Sequence, residues 1–176
     1  MKNRKSIRLS SYDYSQDGWY FVTICSHERE CIFGEIQNEK MVLNDVGKIV
    51  KNIWQSLPNH HPVELDTFQI MPNHIHFIIH IVDAGRSRPT PTTTTTTLGT
   101  IVGLFKSECT KQINAIVGAT RGSPVSLTRG SFKIHVWQRN YFECIIRNEK
   151  ELEKIRKYVK LNPTLWHRDR NNPNNL

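Results

Sequence analysis

The stretch Met71-Pro-Asn-His-Ile-His-Phe-Ile-Ile-His-Ile81 carries the reading of the fold. Pro72-Asn73 is turn chemistry, and His74–Val82 is the strongest strand in the chain. Side chains alternate between faces along a strand. One face therefore holds Ile75, Phe77, Ile79 and Ile81, and the other holds His74, His76, Ile78 and His80. A strand with one dry face and one polar face sits in mid-sheet. Two imidazoles two residues apart on one face bring both nitrogens within reach of a single ion. A lone half-buried histidine more often serves a neighbour's hydrogen bond. Two at the start of a core strand need a shared reason. His80, further along, reads as structural or as a DNA-facing residue. One hydrolase pattern places Asp two residues after such a pair, but here that position is Ile78, so a third ligand must come from elsewhere.

Working outward, Trp19–Ser26 is aromatic and β-branched and reads as a strand. Cys31–Glu35 and Lys40–Leu43 read as a hairpin around Asn38. Asn44 caps a helix running to about Leu57, with Val46, Ile49, Val50, Ile53, Trp54 and Leu57 at helical spacing and Pro58 as its stop. Val63–Ile70 precedes the histidine strand. Asp83–Thr97, ending in six consecutive threonines, is a low-complexity surface loop. Leu98–Ile116 is a helix, Gly118–Gly130 a loop and Phe132–Trp137 a short strand. Asn148–Leu161 is a helix, and Asp169–Leu176 is an Asn/Pro-rich flexible tail. Strands joined by turns as often as by crossovers predict an α+β fold with an antiparallel sheet.

The 176 residues suit one domain spanning 1–176. No apolar run reaches the roughly 18–20 residues of a membrane helix. The basic N-terminus lacks the apolar segment of a secretory signal. A cytoplasmic protein is expected. Cys25, Cys31, Cys109 and Cys144 form no C-x-x-C pair, which argues against a zinc ribbon and a redox motif. With 24 Lys+Arg against 16 Asp+Glu, the net charge is +8 and the pI about 9.5. That balance permits a nucleic-acid partner without requiring one.

The late helix carries a second candidate group. Asn148 with Glu151 is close to a capping box. Leu152, Ile155 and Val159 form the buried stripe. Tyr158 adjoins it, and Asn162 lies one turn on. Lys154, Arg156, Lys157 and Lys160 surround the tyrosine with the charge that phosphate contacts use.

Together these residues resemble a known family. His74-Ile-His76 followed by Tyr158 on a late basic helix is similar to the HUH single-tyrosine transposases, nearest to the REP-associated tyrosine transposases of bacteria. The resemblance extends through Tyr-Phe-Val-Thr-Ile in the first strand, Met-Pro-Asn-His-Ile-His, Trp137-Gln138, Ile146-Arg147-Asn148 and Tyr158 to Asn162-Pro163. It implies a ferredoxin-like antiparallel sheet with the His-x-His motif on a central strand. It implies that Tyr158 attacks single-stranded DNA beside a hairpin, leaving a covalent 5′-phosphotyrosine and a free 3′-hydroxyl for strand transfer. By the same resemblance His74 and His76 ligate a divalent ion, Mg²⁺ or Mn²⁺, and Asn162 matches the third ligand position, where related enzymes carry the longer Gln. Tyr141 is the rival nucleophile. Lys2, Arg4, Lys5, Arg8, Arg168 and Arg170 are candidates for backbone contacts, and Trp137, Tyr141 and Trp166 for stacking on bases. Relatives act as monomers or homodimers. The alternatives are a non-catalytic module that binds repeat hairpins or RNA, and a zinc hydrolase.

Overall fold

The computed structural model describes residues 12–82, 97–119 and 134–175. In chain order these form β1 (Gly18–Cys25), β2 (Gly34–Gln37), β3 (Lys40–Leu43), α1 (Asp45–Ser56), β4 (Val63–Met71), β5 (His74–Ile81), α2 (Leu98–Ala119), β6 (Phe142–Ile146) and α3 (Glu149–Leu161). Four strands make one sheet in the order β4-β5-β1-β6, with every neighbouring pair antiparallel. β1 and β4 thus run parallel with β5 between them, and β5 and β6 run parallel with β1 between them. These are two interlocked split βαβ units, the ferredoxin-like arrangement. No helix among the described residues is long and apolar enough to cross a membrane.

Strand alternation sorts the sheet into two cores. Tyr20, Val22 and Ile24 of β1 and Ile75, Phe77, Ile79 and Ile81 of β5 face α1 and α2, where they meet Val50, Ile53, Trp54, Leu98, Ile101 and Phe105. The opposite face buries Phe21, Ile78 and Ile146 beneath Leu152 and Val159 of α3. The histidine side of β5 therefore looks toward α3.

Local chemistry explains the ends of the elements. Asn44 Oδ1 accepts from the Gly47 amide at 3.0 Å and starts α1. A Cβ at Gly47 would lie 2.2 Å from the Phe33 carbonyl oxygen, so only glycine lets the helix start against this loop. Asn38 and Glu39 both have positive φ, 49° and 62°, as a two-residue type I′ hairpin needs. The hairpin's first strand starts at Gly34 rather than Cys31, because Phe33 is turned into the core.

Two expectations are corrected. Phe132–Trp137 is not a strand where it is described: Trp137 makes an isolated bridge to Ser26. The fourth strand is β6, paired with β1 from Trp19↔Ile146 to Thr23↔Phe142. The flexible tail is instead a docked segment over residues 169–175. Asn171 and Asn172 are buried, and the Asn171 carbonyl accepts from Asn73 at 2.7 Å. Asparagine-rich composition suggests solvation, but the Asn172 side chain donates to the Trp166 carbonyl and that of Asn175 to the carbonyls of His167 and Asp169. The threonine-rich stretch lies outside the described residues apart from Thr97, as does most of the Gly118–Gly130 loop.

Candidate active site

The turn before β5 sets the orientation of the first histidine. Asn73 is fully buried, and its Nδ2 donates to the carbonyls of Arg29 at 3.0 Å and Asn171 at 2.7 Å. Its Oδ1 must then face His74 Nδ1, 2.9 Å away, so His74 carries its proton on Nδ1 and its Nε2 is a lone-pair atom. The ladder pairs His76 with Thr23, whose Oγ1 lies 2.8 Å from His76 Nδ1. The Nε2 atoms of the two histidines are 3.0 Å apart.

Burial keeps both rings neutral. It pushes each imidazole down to about 3, with the positive charges of Arg170 and Arg29 adding to the effect at His74 and the His74 ring adding at His76. A neutral imidazole is the form that ligates metals. Asp169 Oδ2 lies 3.7 Å from His74 Nε2. With His74 uncharged this is a contact rather than an ion pair. His74, His76 and Asp169 each offer a ligand atom within 4.8 Å of the others.

Tyr158 reaches the same point from α3. Its hydroxyl is 3.5 Å from His76 Nε2, and the Phe21 ring packs between the two elements, 5.5 Å from His76 and 6.1 Å from Tyr158. Burial raises the phenol's pKa, while a hydrogen bond from Asn162 opposes it. Asn162 is buried, and its Oδ1 has no hydrogen-bond partner among the described residues.

The donor set fits a divalent ion. His74 Nε2 is a lone-pair atom, so its 3.0 Å contact with His76 Nε2 needs a proton or a cation between them. The Thr23 hydroxyl can donate or accept, so it suits either tautomer of His76. Asp169 offers an oxygen donor beside the two histidines, and Asn162, whose carbonyl is unpartnered among the described residues, hydrogen-bonds to Tyr158.

His74, His76, Tyr158 and Asn162 thus converge, while the other candidates disperse. Lys154, Lys157 and Lys160 are exposed along α3. Arg156 is held by Asp66, Glu149 and Glu153 and lies 5.8 Å over the Trp19 ring, so a phosphate would compete there with three carboxylates. Trp137 is in the main core against Phe33 and Phe105, its indole donating to the Lys106 carbonyl, with no face for a base. Tyr141 packs against that same core. Trp166 does stand at the site, its ring 6.1 Å from His74. Arg168 and Arg170 are exposed, while Lys2, Arg4, Lys5 and Arg8 lie outside the described residues. His80 is held between Glu64 and Asp17.

Residues 19–162 match the family model described as transposase IS200 like. The chain belongs to the IS200-like transposase family. Its relatives include a Haemophilus influenzae protein of uncharacterised function, 41% identical over 170 residues, covering 95% of this chain and 92% of that protein. A second Haemophilus influenzae protein, named as a candidate REP-associated tyrosine transposase, is 22% identical over 158 residues, covering 88% and 76%. Among solved structures, a REP-associated tyrosine transposase bound to a REP hairpin superposes with a TM-score of 0.56 at 16% identity, over 89% of this chain and 73% of that one. That likeness establishes the shared fold. In this IS200-like transposase the family match spans β1 through Asn162 and stops short of Asp169.

Three site residues escaped the sequence reading. Thr23 is visible only once the β1–β5 register is known. Asp169 is hidden in an apparently solvated tail. Asn73 had a signal, since it precedes His74 in a Pro-Asn turn, but its partners lie 44 and 98 residues away.

Proposed function

We propose that this transposase nicks single-stranded DNA beside a hairpin and transfers the strand through a 5′-phosphotyrosine at Tyr158. The observation that carries this reading is the Tyr158 hydroxyl standing 3.5 Å from His76 Nε2, where two neutral imidazoles converge. The hairpin as partner is supported by the hairpin-bound structural relative.

His74 and His76, with an oxygen of Asn162 or Asp169, would hold a divalent ion. Two nitrogen donors favour Mn²⁺ over Mg²⁺. Such an ion would supply positive charge to polarise the scissile phosphate. A phenol ordinarily titrates near ~10, so Tyr158 is protonated at neutral pH, and its partial burial raises the pKa further. In the cleavage step a bond forms between Tyr158 Oη and phosphorus, and the bond from phosphorus to the 3′-oxygen breaks. The phenol loses one proton and the departing 3′-oxygen gains one. The Nε2 atoms are ligand atoms in this reading, so that proton passes through solvent. The Asn162 hydrogen bond favours the phenolate as it forms. Exposed Lys154, Lys157 and Lys160 attract the DNA backbone. Tyr158 meets the histidines of its own chain, which supports a site completed within a monomer.

Incubation with hairpin-bearing single-stranded DNA and Mn²⁺, followed by denaturing electrophoresis, tests the reading. The wild type is expected to form a covalent adduct, Tyr158→Phe none, and His74→Ala none while still binding DNA. An adduct that survives Tyr158→Phe overturns the assignment. Hairpin binding without any adduct identifies a binding module.

A further inference from the structure

Asn73 touches two things at once. Through Oδ1 it fixes the proton of His74 on Nδ1, and through Nδ2 it holds the Asn171 carbonyl. Asn171 belongs to the docked C-terminal segment that carries Asp169. The Asn171 amide donates to Asp169 Oδ1 at 2.6 Å, while Asp169 Oδ2 faces His74 Nε2. One closed circuit therefore runs from Asn73 through His74, Asp169 and Asn171 back to Asn73. Every member except Asp169 is nine-tenths or more buried, and Asp169's own side chain is 7% exposed.

We propose that Asn73 is a positioning residue that couples the metal site to the C-terminal segment, so that a divalent ion and the docked segment stabilise each other. The inference rests on the metal-binding reading above and adds its regulation. Docking the segment brings a carboxylate to the lone pairs of His74 and His76. An ion bound there holds that carboxylate, and so the segment. Linkage makes the effect reciprocal: a segment that raises ion affinity must be stabilised by the ion to the same extent. The outer partners of ligating histidines typically shift metal affinity by about 10–100-fold.

Mn²⁺ titration by calorimetry, paired with amide hydrogen exchange at Asn171 and Asn172, tests the coupling on the full chain. Both amides hydrogen-bond to Asp169, so their exchange reports its docking. In the wild type, saturating Mn²⁺ is expected to slow exchange there about tenfold. Asn73→Asp keeps an acceptor for His74 but turns an oxygen toward two carbonyls. It is expected to speed exchange and to weaken Mn²⁺ about tenfold. Asp169→Asn keeps the acceptor for the Asn171 amide and removes the anionic donor. Its metal-free exchange is expected to match wild type, with no slowing by Mn²⁺, and this arm carries the test if Asn73→Asp does not fold. Mn²⁺ binding that leaves exchange at 171–172 unchanged overturns the coupling and leaves the metal site standing. No Mn²⁺ binding by the wild type overturns both.

Discussion

Thr23 stands directly across from His76 in the β1–β5 ladder, and its hydroxyl lies 2.8 Å from His76 Nδ1. The ring that offers Nε2 toward Tyr158 is therefore oriented from the neighbouring strand. Thr23→Val keeps the shape and removes the hydrogen bond. Mn²⁺ affinity is expected to fall about 10–100-fold, with DNA binding unchanged, by calorimetry and a gel-shift titration. Unchanged Mn²⁺ affinity would show that packing alone orients His76.

Asn162 is a buried amide whose Oδ1 lacks a partner among the described residues. Leaving such a group unsatisfied costs about 1–3 kcal/mol. Asn162→Leu is expected to raise unfolding stability by about 1 kcal/mol in urea denaturation while cutting adduct formation. A variant that loses stability would instead make Asn162 a structural residue.

Arg156 grips Asp66 through Nε and Nη2 where β4 bulges, between Leu65 and Phe68. Burial of Asp66 works against ionisation, but the hydrogen bonds from Arg156 and Thr67 outweigh it and hold the carboxyl below its usual value. The pair's contribution is thus present above about pH 4 and is lost as pH falls through the lowered value. Asp66→Asn is expected to cost about 1–2 kcal/mol at pH 7, allowing for partial exposure. In thermal melts the gap between wild type and variant should be smaller at pH 3 than at pH 7, and a gap that widens toward acid would refute the pairing.

His80 carries the opposite sign. Its burial opposes protonation, but Glu64 and Asp17 overcome that and raise its pKa. The stabilisation is complete below about pH 6.5 and is lost as pH rises through the raised value. The two carboxylates are exposed, so about 0.5 kcal/mol is expected. Melts of wild type and His80→Gln across pH 5–9 measure it. The wild-type advantage should shrink toward alkaline pH, and an advantage that grows there would refute the pairing.

Much of this was written locally. The two faces of β5 follow from alternation alone, and Asn44 and Asn148 cap α1 and α3 as their chemistry predicts. Tyr158 and Asn162 share a helix face, so their joint arrival at the site was readable one turn apart. What was not readable depends on pairing between distant segments. β6 is a five-residue edge strand whose residues are mostly half-buried, so it shows no clean alternation. Trp137 is as aromatic as any base-stacking residue, and only the fold places it in the core. Asp169 lies in a polar tail whose Asn171 carbonyl accepts from Asn73, 98 residues earlier.

The two cores are unequal. α3 rests on the smaller one, where Leu152 and Val159 meet Phe21, Ile78 and Ile146, while β5 is zipped between β4 and β1 above the larger one. Tyr158 and the histidine pair therefore sit on parts of different tenacity. Gentle warming should disarm this protein before it melts it: the tyrosine drifts away first, and the histidine pair outlasts it on an intact sheet.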